Sequence, residues 1–196
     1  GWTERQIMEK LGAEGSAEGR FFPDTYLFAK GSGDLDILKR AYRHMNNILL
    51  AEWEGREPSL PYKSPYETLI MASIVEKETG RSQDRTQIAS VFLNRLKKGM
   101  LLQTDPTVIY GLGEKFDGNL RKRDLLADGP YNTYTRLGLP PTPIAMPGLA
   151  SVQAVMHPAA TEMLYFVARG DGSSQFSRTV EEHNRAVAKY QVRKGN

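Results

Sequence analysis

The sequence predicts an α+β fold, helix-rich, with a small antiparallel sheet. Capping signatures followed by apolar residues at helical spacing recur along the chain, most clearly between Ser64 and Gly99. The segments with strand character are short, and two of them flank a tight-turn dipeptide, Asp171-Gly172. Helices therefore supply the bulk of the core, and strands add only a small sheet.

Thr3 with Gln6 forms a capping-box signature for a short helix to Leu11, which Gly12 closes. Gly15 to Gly19 is a loop. In FFPDTYLF, from Phe21 to Phe28, Pro23-Asp24 signals a turn, and a short strand is expected over Tyr26 to Ala29 before Gly31-Ser32-Gly33 ends it. Asp34 is expected to cap a long helix to about Glu54, with Leu38, Ala41, Tyr42, Met45, Ile48 and Leu49 along one face. Gly55 to Lys63 is a connection.

Ser64, Pro65 and Glu67 then open a helix expected to run to about Thr79, because the Ser hydroxyl caps free N–H groups and Pro fits the first turn. At about 100° per residue, Ile70, Met71, Ile74 and Val75 share an arc with Glu78 at its middle, while Glu76 points the opposite way. An acid there has two readings. Either Glu76-Lys77-Glu78 is a solvated helix end, or Glu78 is desolvated with a raised pKa, a state that suits a general acid.

Gly80 breaks the helix, and Asp84 with Gln87 starts another that carries Ile88, Val91, Phe92 and Leu96. Arg95, Lys97 and Lys98 complement its C-terminal dipole, and Gly99 stops it. In Gln103-Thr104-Asp105-Pro106, Thr or Asp caps and Pro opens a short helix through Tyr110. Asp117-Gly118 is a turn, and Asp124 to Ala127 a short helical piece.

Gly129 to Gly148, GPYNTYTRLGLPPTPIAMPG, is long and irregular, and such segments inside a compact domain are usually functional or disordered. Tyr131, Asn132, Thr133, Tyr134 and Thr135 alternate aromatic and hydrogen-bonding groups, as loops facing sugars or peptides do. A rigid Pro-rich turn with its tyrosines on the core is equally compatible. Ser151 to Met156 forms a helix stopped before Pro158. Leu164 to Ala168 and Gln175 to Ser177 form a hairpin, and Thr179 with Glu182 opens a last helix to about Arg193.

Composition removes several classes of function. The 196 residues are 40% hydrophobic and 25% charged, enough for one domain with a full core. A net charge of +3, with acids and bases interspersed, argues against nucleic acid as a partner. Without Cys there is no disulfide, thiolate nucleophile or zinc–thiolate site. His44, His157 and His183 lack metal-ligand spacing, so no metal is expected and each is given a structural role. Gly31-x-Gly33 and Gly111-x-Gly113 lack the context of a phosphate loop, so no cofactor is expected. There is no G-x-S-x-G elbow. No apolar run reaches the length of a bilayer span, and the abrupt opening at Gly1-Trp2 suggests a piece of a longer protein.

Carboxylate chemistry is what remains, with Glu78 first and Asp105 and Glu76 as candidate second carboxylates. Glycoside cleavage needs one acid near the glycosidic oxygen and usually a second carboxylate; where the sugar supplies its own nucleophile, one acid is enough.

The blocks ASIVEKETG, IASVFLNRLKKGMLLQTDPTVIYGLG, YNTYTRLGLPPTPIAMPG and LYFVARGDGSSQFSRTVEEHN, with EGRFFPDTYLF before them, resemble the endolytic murein transglycosylases of the YceG-like family. The resemblance is collinear over roughly residues 14 to 190. It implies cleavage of the β-1,4 bond between N-acetylmuramic acid and N-acetylglucosamine inside nascent peptidoglycan strands, leaving 1,6-anhydro-muramoyl ends. Glu78 matches the family's catalytic Glu, which agrees with the helical-wheel choice, and Glu78-Thr79 resembles the Glu-Ser pair of other lytic transglycosylases.

Further expectations follow from the resemblance. Gln103, Thr104, Tyr110, Tyr131, Asn132, Thr133 and Tyr134 become candidates for binding sugars. Residues 1–13 become the junction after a LysM-like module, and residues 14–196 the catalytic domain, of which a lysozyme-like core is one expected form. The family places this domain on the periplasmic side of the cytoplasmic membrane, behind a single-pass anchor that this chain lacks. Peptidoglycan synthases, the penicillin-binding proteins, are expected partners. Two alternatives stand beside this reading: a hydrolytic muramidase in which Asp105 or Glu76 positions water, and a non-catalytic murein-binding or synthase-docking module.

Overall fold

The structure, a computed structural model, describes residues 2–191. In chain order its elements are α1 Glu4–Lys10, α2 Asp34–Glu54, α3 Pro65–Glu78, α4 Ser82–Lys97, α5 Asp105–Leu112, α6 Lys122–Leu126, α7 Leu149–Met156, β1 Tyr165–Ala168, β2 Ser174–Ser177 and α8 Val180–Tyr190. A single 3-10 turn, Gly113–Lys115, follows α5. This is the expected α+β class, with helices dominating and a two-stranded antiparallel sheet.

The core is built around α3, which packs against α2, α4, α5 and α7. Every residue from Thr68 to Val75 is buried, so α3 is not the one-striped helix that its apolar arc suggested. A helix with neighbours on all sides has no solvent face to keep polar. Its buried hydroxyls turn back on their own backbone: Thr68 Oγ1 donates to Pro65 O at 2.6 Å and Ser73 Oγ to Ile70 O at 2.7 Å. Ser64 caps as expected, accepting from Glu67 N at 3.3 Å, but the Glu67 carboxylate reaches one residue further back, to Lys63 N at 2.7 Å.

Two expected caps differ. α2 begins at Asp34 itself, with Gly33 in the cap position and its N–H donating to Asp36 Oδ2 at 3.4 Å. α4 begins at Ser82, and the buried Asp84 carboxylate accepts from Ser174 N at 2.8 Å, holding β2 instead of capping. The α8 capping box of Thr179 and Glu182 is present; the expected end near Arg193 lies outside the described residues.

The hairpin pairs Tyr165 with Ser177 and Ala168 with Ser174. It lies on α4 and α8, with Phe166 meeting Phe92 edge-on at 5.8 Å. α4 also holds the chain leading into β1, since Asn94 Nδ2 donates to Thr161 O and Met163 O.

The strand expected over Tyr26 to Ala29 is absent from the described structure; the segment is irregular. No neighbouring strand takes up its backbone. It is strapped to α2 instead: Phe22 N donates to Ala41 O at 3.1 Å, and Arg40 Nη1 to Leu27 O at 2.6 Å. Leu27 and Phe28 consequently stand 83% and 65% exposed. Gly19 carries the chain across the Pro-rich loop at φ +78, where a Cβ would lie 2.5 Å from that of Pro143. Only glycine fits there.

Residues 129–148 contain no helix or strand up to Leu149 yet are tied into the core, for example by Ile144 N donating to the buried Ser73 Oγ at 2.9 Å. Among the described residues no helix is long and apolar enough to cross a membrane.

Candidate active site

The C-terminal end of α3 opens into a cleft of about 630 Å³ between α4, the start of α5, the hairpin and α8. Glu78 is the last residue of α3, because Thr79 turns to extended backbone at φ −150, ψ 136. Glu78 lines this cleft, and protein surrounds most of its carboxyl group. Burial raises its pKa above the ordinary carboxylate value; a hydrogen bond from Thr104 works against that rise, and the nearby charge of Asp105 adds to it. Of the two readings open at the sequence, the desolvated acid is the one found.

Thr104 Oγ1 donates to Glu78 Oε1, so it is not free to cap α5, although Thr104 occupies the cap position. Thr104 is 2% exposed and is fixed on both backbone sides. Its N–H donates to Thr133 Oγ1 at 3.1 Å, its carbonyl accepts from Thr107 Oγ1 at 2.8 Å, and the Thr107 and Thr133 hydroxyls lie 2.9 Å apart. Gln103, just before it, has φ +52, the left-handed region that a non-glycine residue enters at a cost of roughly 1–2 kcal/mol. Its N–H donates to Thr133 O at 3.1 Å.

Asp105 lines the same cleft, and its Oδ1 accepts from Tyr134 Oη at 2.5 Å. Burial, then this hydrogen bond, pushes the Tyr134 phenol well above its ordinary value, so it remains a donor at neutral pH. Glu78, Gln103, Asp105 and Tyr134 are thus brought together, with Thr104 immediately behind Glu78.

The remaining candidates lie elsewhere. Glu76 Oε2 accepts from Ser151 Oγ at 2.6 Å and Gly148 N at 3.1 Å, which caps the start of α7. Tyr110 and Tyr131, with ring centroids 4.9 Å apart, line a second groove of about 660 Å³ on the α1 side, along with Met8, Ser16 and Thr142. Burial and the adjacent Glu18 push the Tyr110 phenol up to about 12. Asn132 and Thr133 are buried. Asn132 Nδ2 donates to the carbonyls of Asp124, Leu125 and Ala127, and its Oδ1 accepts from Tyr134 N at 2.9 Å, fixing the loop that delivers Tyr134.

Sequence reasoning missed two cleft residues. Arg95, read as a complement to the α4 dipole, is 8% exposed and lines the cleft. His183, given only a structural role, stacks on Tyr165 at 5.3 Å across the same cleft. Its Nδ1 is buried with no hydrogen-bond partner among the described residues, and burial followed by the Arg95 charge lowers its pKa. The spacing Val180, His183, Val187 already places this His on an apolar helix face. Arg95 carried no comparable signal. Among the described residues, no three His, Asp or Glu side chains are grouped as metal ligands would be.

The arrangement presents one carboxyl group that can give and take a proton, poised by one hydroxyl donor and one neighbouring acid. The YceG-like family model matches residues 1–189. The chain is 45% identical over 174 residues to a Bacillus subtilis (strain 168) protein named endolytic murein transglycosylase, covering 88% of this chain and 48% of that protein. It is 32% identical over 190 residues to one of the same name from Streptococcus pneumoniae (strain ATCC BAA-255 / R6), covering 93% of this chain and 34% of the other. The chain therefore spans between about a third and a half of the length of these curated relatives. The crystal structure of a yceG-like protein from Listeria monocytogenes superposes with a TM-score of 0.71 at 40% identity, covering 85% of this chain and 53% of that one.

Proposed function

Because the chain belongs to the YceG-like family, we propose that it carries the catalytic part of an endolytic murein transglycosylase. Its substrate is then the glycan strand of nascent peptidoglycan, cut at the β-1,4 bond between N-acetylmuramic acid and N-acetylglucosamine. The observation that carries this reading is the desolvated Glu78 carboxyl, which lines a cleft and is held by the Thr104 hydroxyl. The names of the relatives support the substrate class.

Protonated Glu78 gives its proton to the glycosidic oxygen as the C1–O bond breaks. The carboxylate so formed takes a proton from the muramoyl C6 hydroxyl, whose oxygen bonds to C1. No water is consumed, and the product ends in a 1,6-anhydro ring. A raised pKa favours the protonated form of Glu78 that the first step needs, and the bond from Thr104 steadies the carboxylate in the second.

Gln103 and Tyr134 contact the sugars beside the cleaved bond, since they share the cleft with Glu78. Tyr110 and Tyr131, in the second groove, contact units further along the strand. Asn132 and Thr133 act by holding the loop. The domain works in the cell envelope, on the periplasmic side of the cytoplasmic membrane, near the synthases that make its substrate.

A hydrolytic muramidase is the second reading, because Asp105 shares the cleft with Glu78 and could activate water there. Incubating uncrosslinked nascent strands with wild type and Glu78→Gln tests the assignment common to both. Shortened strands are expected with wild type alone; equal cleavage by the two proteins would overturn the role of Glu78.

A further inference from the structure

Arg95 is a buried guanidinium whose hydrogen bonds all go to neutral oxygens. Its Nε donates to Leu164 O at 2.7 Å, and its Nη1 to Leu101 O at 3.1 Å, Leu102 O at 3.0 Å and Gln103 Oε1 at 3.3 Å. The ring of Tyr165 lies 5.0 Å from its central carbon. Among the described residues it makes no ion pair with a carboxylate. One side chain thus joins the residue before β1 to the whole segment that leads into Gln103.

That segment needs a clamp. Gln103 holds a left-handed backbone, and such a residue persists only where its surroundings over-determine it. Thr133 grips the turn from one side, through Gln103 N and Thr104 N. Arg95 grips it from the other, through Leu101, Leu102 and the Gln103 side chain. The next residue is Thr104, whose hydroxyl is on Glu78.

We propose that Arg95 is a positioning residue for proton transfer: it fixes the 101–103 turn and thereby holds the Thr104 hydroxyl against the Glu78 carboxyl. The planar fork is essential to this, because it donates in several directions at once, whereas a lysine ammonium is a flexible point charge. Thr104 and Asp105 at the start of α5 act directly on the Glu78 carboxyl, and the other titratable groups lining the cleft are Tyr134 from the loop, Arg95 from α4, Tyr165 from β1 and His183 from α8. Replacing Arg95 by Lys keeps the positive charge and leaves the other charged and titratable groups of the cleft unaltered, so a change in the Glu78 titration reports the loss of the fork's hold on the turn.

The kinetic part of the test rests on the proposed function; the titration part does not. The carboxyl of Glu78 is titrated by carbon-13 NMR in wild type, Arg95→Lys, Thr104→Val and the double variant, alongside kcat and KM on nascent strands. Because the Thr104 bond lowers the Glu78 pKa, each single variant is expected to raise it, and the double variant no further than Thr104→Val alone. For Arg95→Lys, kcat is expected to fall by roughly tenfold with KM little changed. An unchanged Glu78 titration in Arg95→Lys, or additive shifts in the double variant, would overturn the proposal.

Adding Gln103→Gly to Arg95→Lys gives a second measurement, also where Arg95→Lys alone folds poorly, since glycine adopts positive φ without strain. Return of the Glu78 titration towards wild type is expected. A titration that stays displaced would count against Arg95 acting through this turn. If wild type does not cleave glycan at all, the proposed function fails while the titration still decides the role of Arg95.

Discussion

Thr104 donates its hydroxyl hydrogen to Glu78 across 26 residues of sequence, from the cap position of α5 to the last residue of α3. The bond stabilises the charged form of a carboxyl that burial pushes towards the neutral form. Asp105, the next residue, pushes the same carboxyl the other way, since a second negative charge disfavours ionisation.

Opposite shifts follow for the two neighbours. Thr104→Val removes a stabiliser of the carboxylate, so the Glu78 pKa rises and the limb of kcat that requires protonated acid extends to higher pH. Asp105→Asn removes a repelling charge, so the Glu78 pKa falls and that limb retreats to lower pH. The loss of kcat for Thr104→Val is expected to be about tenfold to a hundredfold, from a charge-assisted bond of roughly 1.5–3 kcal/mol. pH–rate profiles of both variants check the signs.

Stability should carry the same signature. A carboxyl whose folded pKa lies above its unfolded value binds its proton more tightly in the folded state. Stability is then highest below the unfolded pKa and declines as pH rises through the folded pKa. Glu78→Gln escapes that decline, so it is expected to be more stable than wild type at neutral pH, with the difference disappearing in acid. Urea unfolding of both proteins across the pH range measures it.

Glu76 should matter for folding and not for chemistry. Its carboxylate takes two hydrogen bonds at the start of α7, one of them from the fully buried Ser151. Glu76→Ala is expected to cost about 1–3 kcal/mol in chemical denaturation, from the lost charge-assisted bonds. Cleavage by the folded variant should remain close to wild type.

Asn132 holds three carbonyls at the end of α6 and the N–H of Tyr134 with one buried amide. Asn132→Ala is expected to destabilise the domain by about 2–4 kcal/mol, because several buried backbone groups lose their partner. KM should rise as well, since the loop presents Tyr134 to the cleft. Denaturation midpoints and steady-state kinetics report the two effects separately.

The features that were legible in the sequence are those decided locally. The α3, α5 and α8 starts followed from Ser64, Pro106 and Thr179, and the hairpin from Asp171-Gly172. Helical phase singles out Glu78 over Glu76, and the family blocks point to the same residue independently. What escaped depends on contacts distant in sequence. Whether Tyr26 to Ala29 forms a strand depends on a partner, and the partner supplied is the Arg40 guanidinium on α2. Arg95 looks like an ordinary cation at a helix end until the hairpin, 69 residues later, closes over it. The family resemblance makes Thr104 a candidate for binding sugar; only the fold shows its hydroxyl committed to Glu78.

In the proposed reaction Glu78 delivers a proton and then draws the muramoyl C6 hydroxyl onto C1, without water. Mass spectrometry of the strand ends released from nascent glycan by wild type, with Glu78→Gln as control, tests it most directly. Wild type is expected to release 1,6-anhydro-muramoyl ends, lighter by one water than reducing ends, and the variant none. Reducing ends from wild type, with an oxygen taken from labelled water, would contradict it.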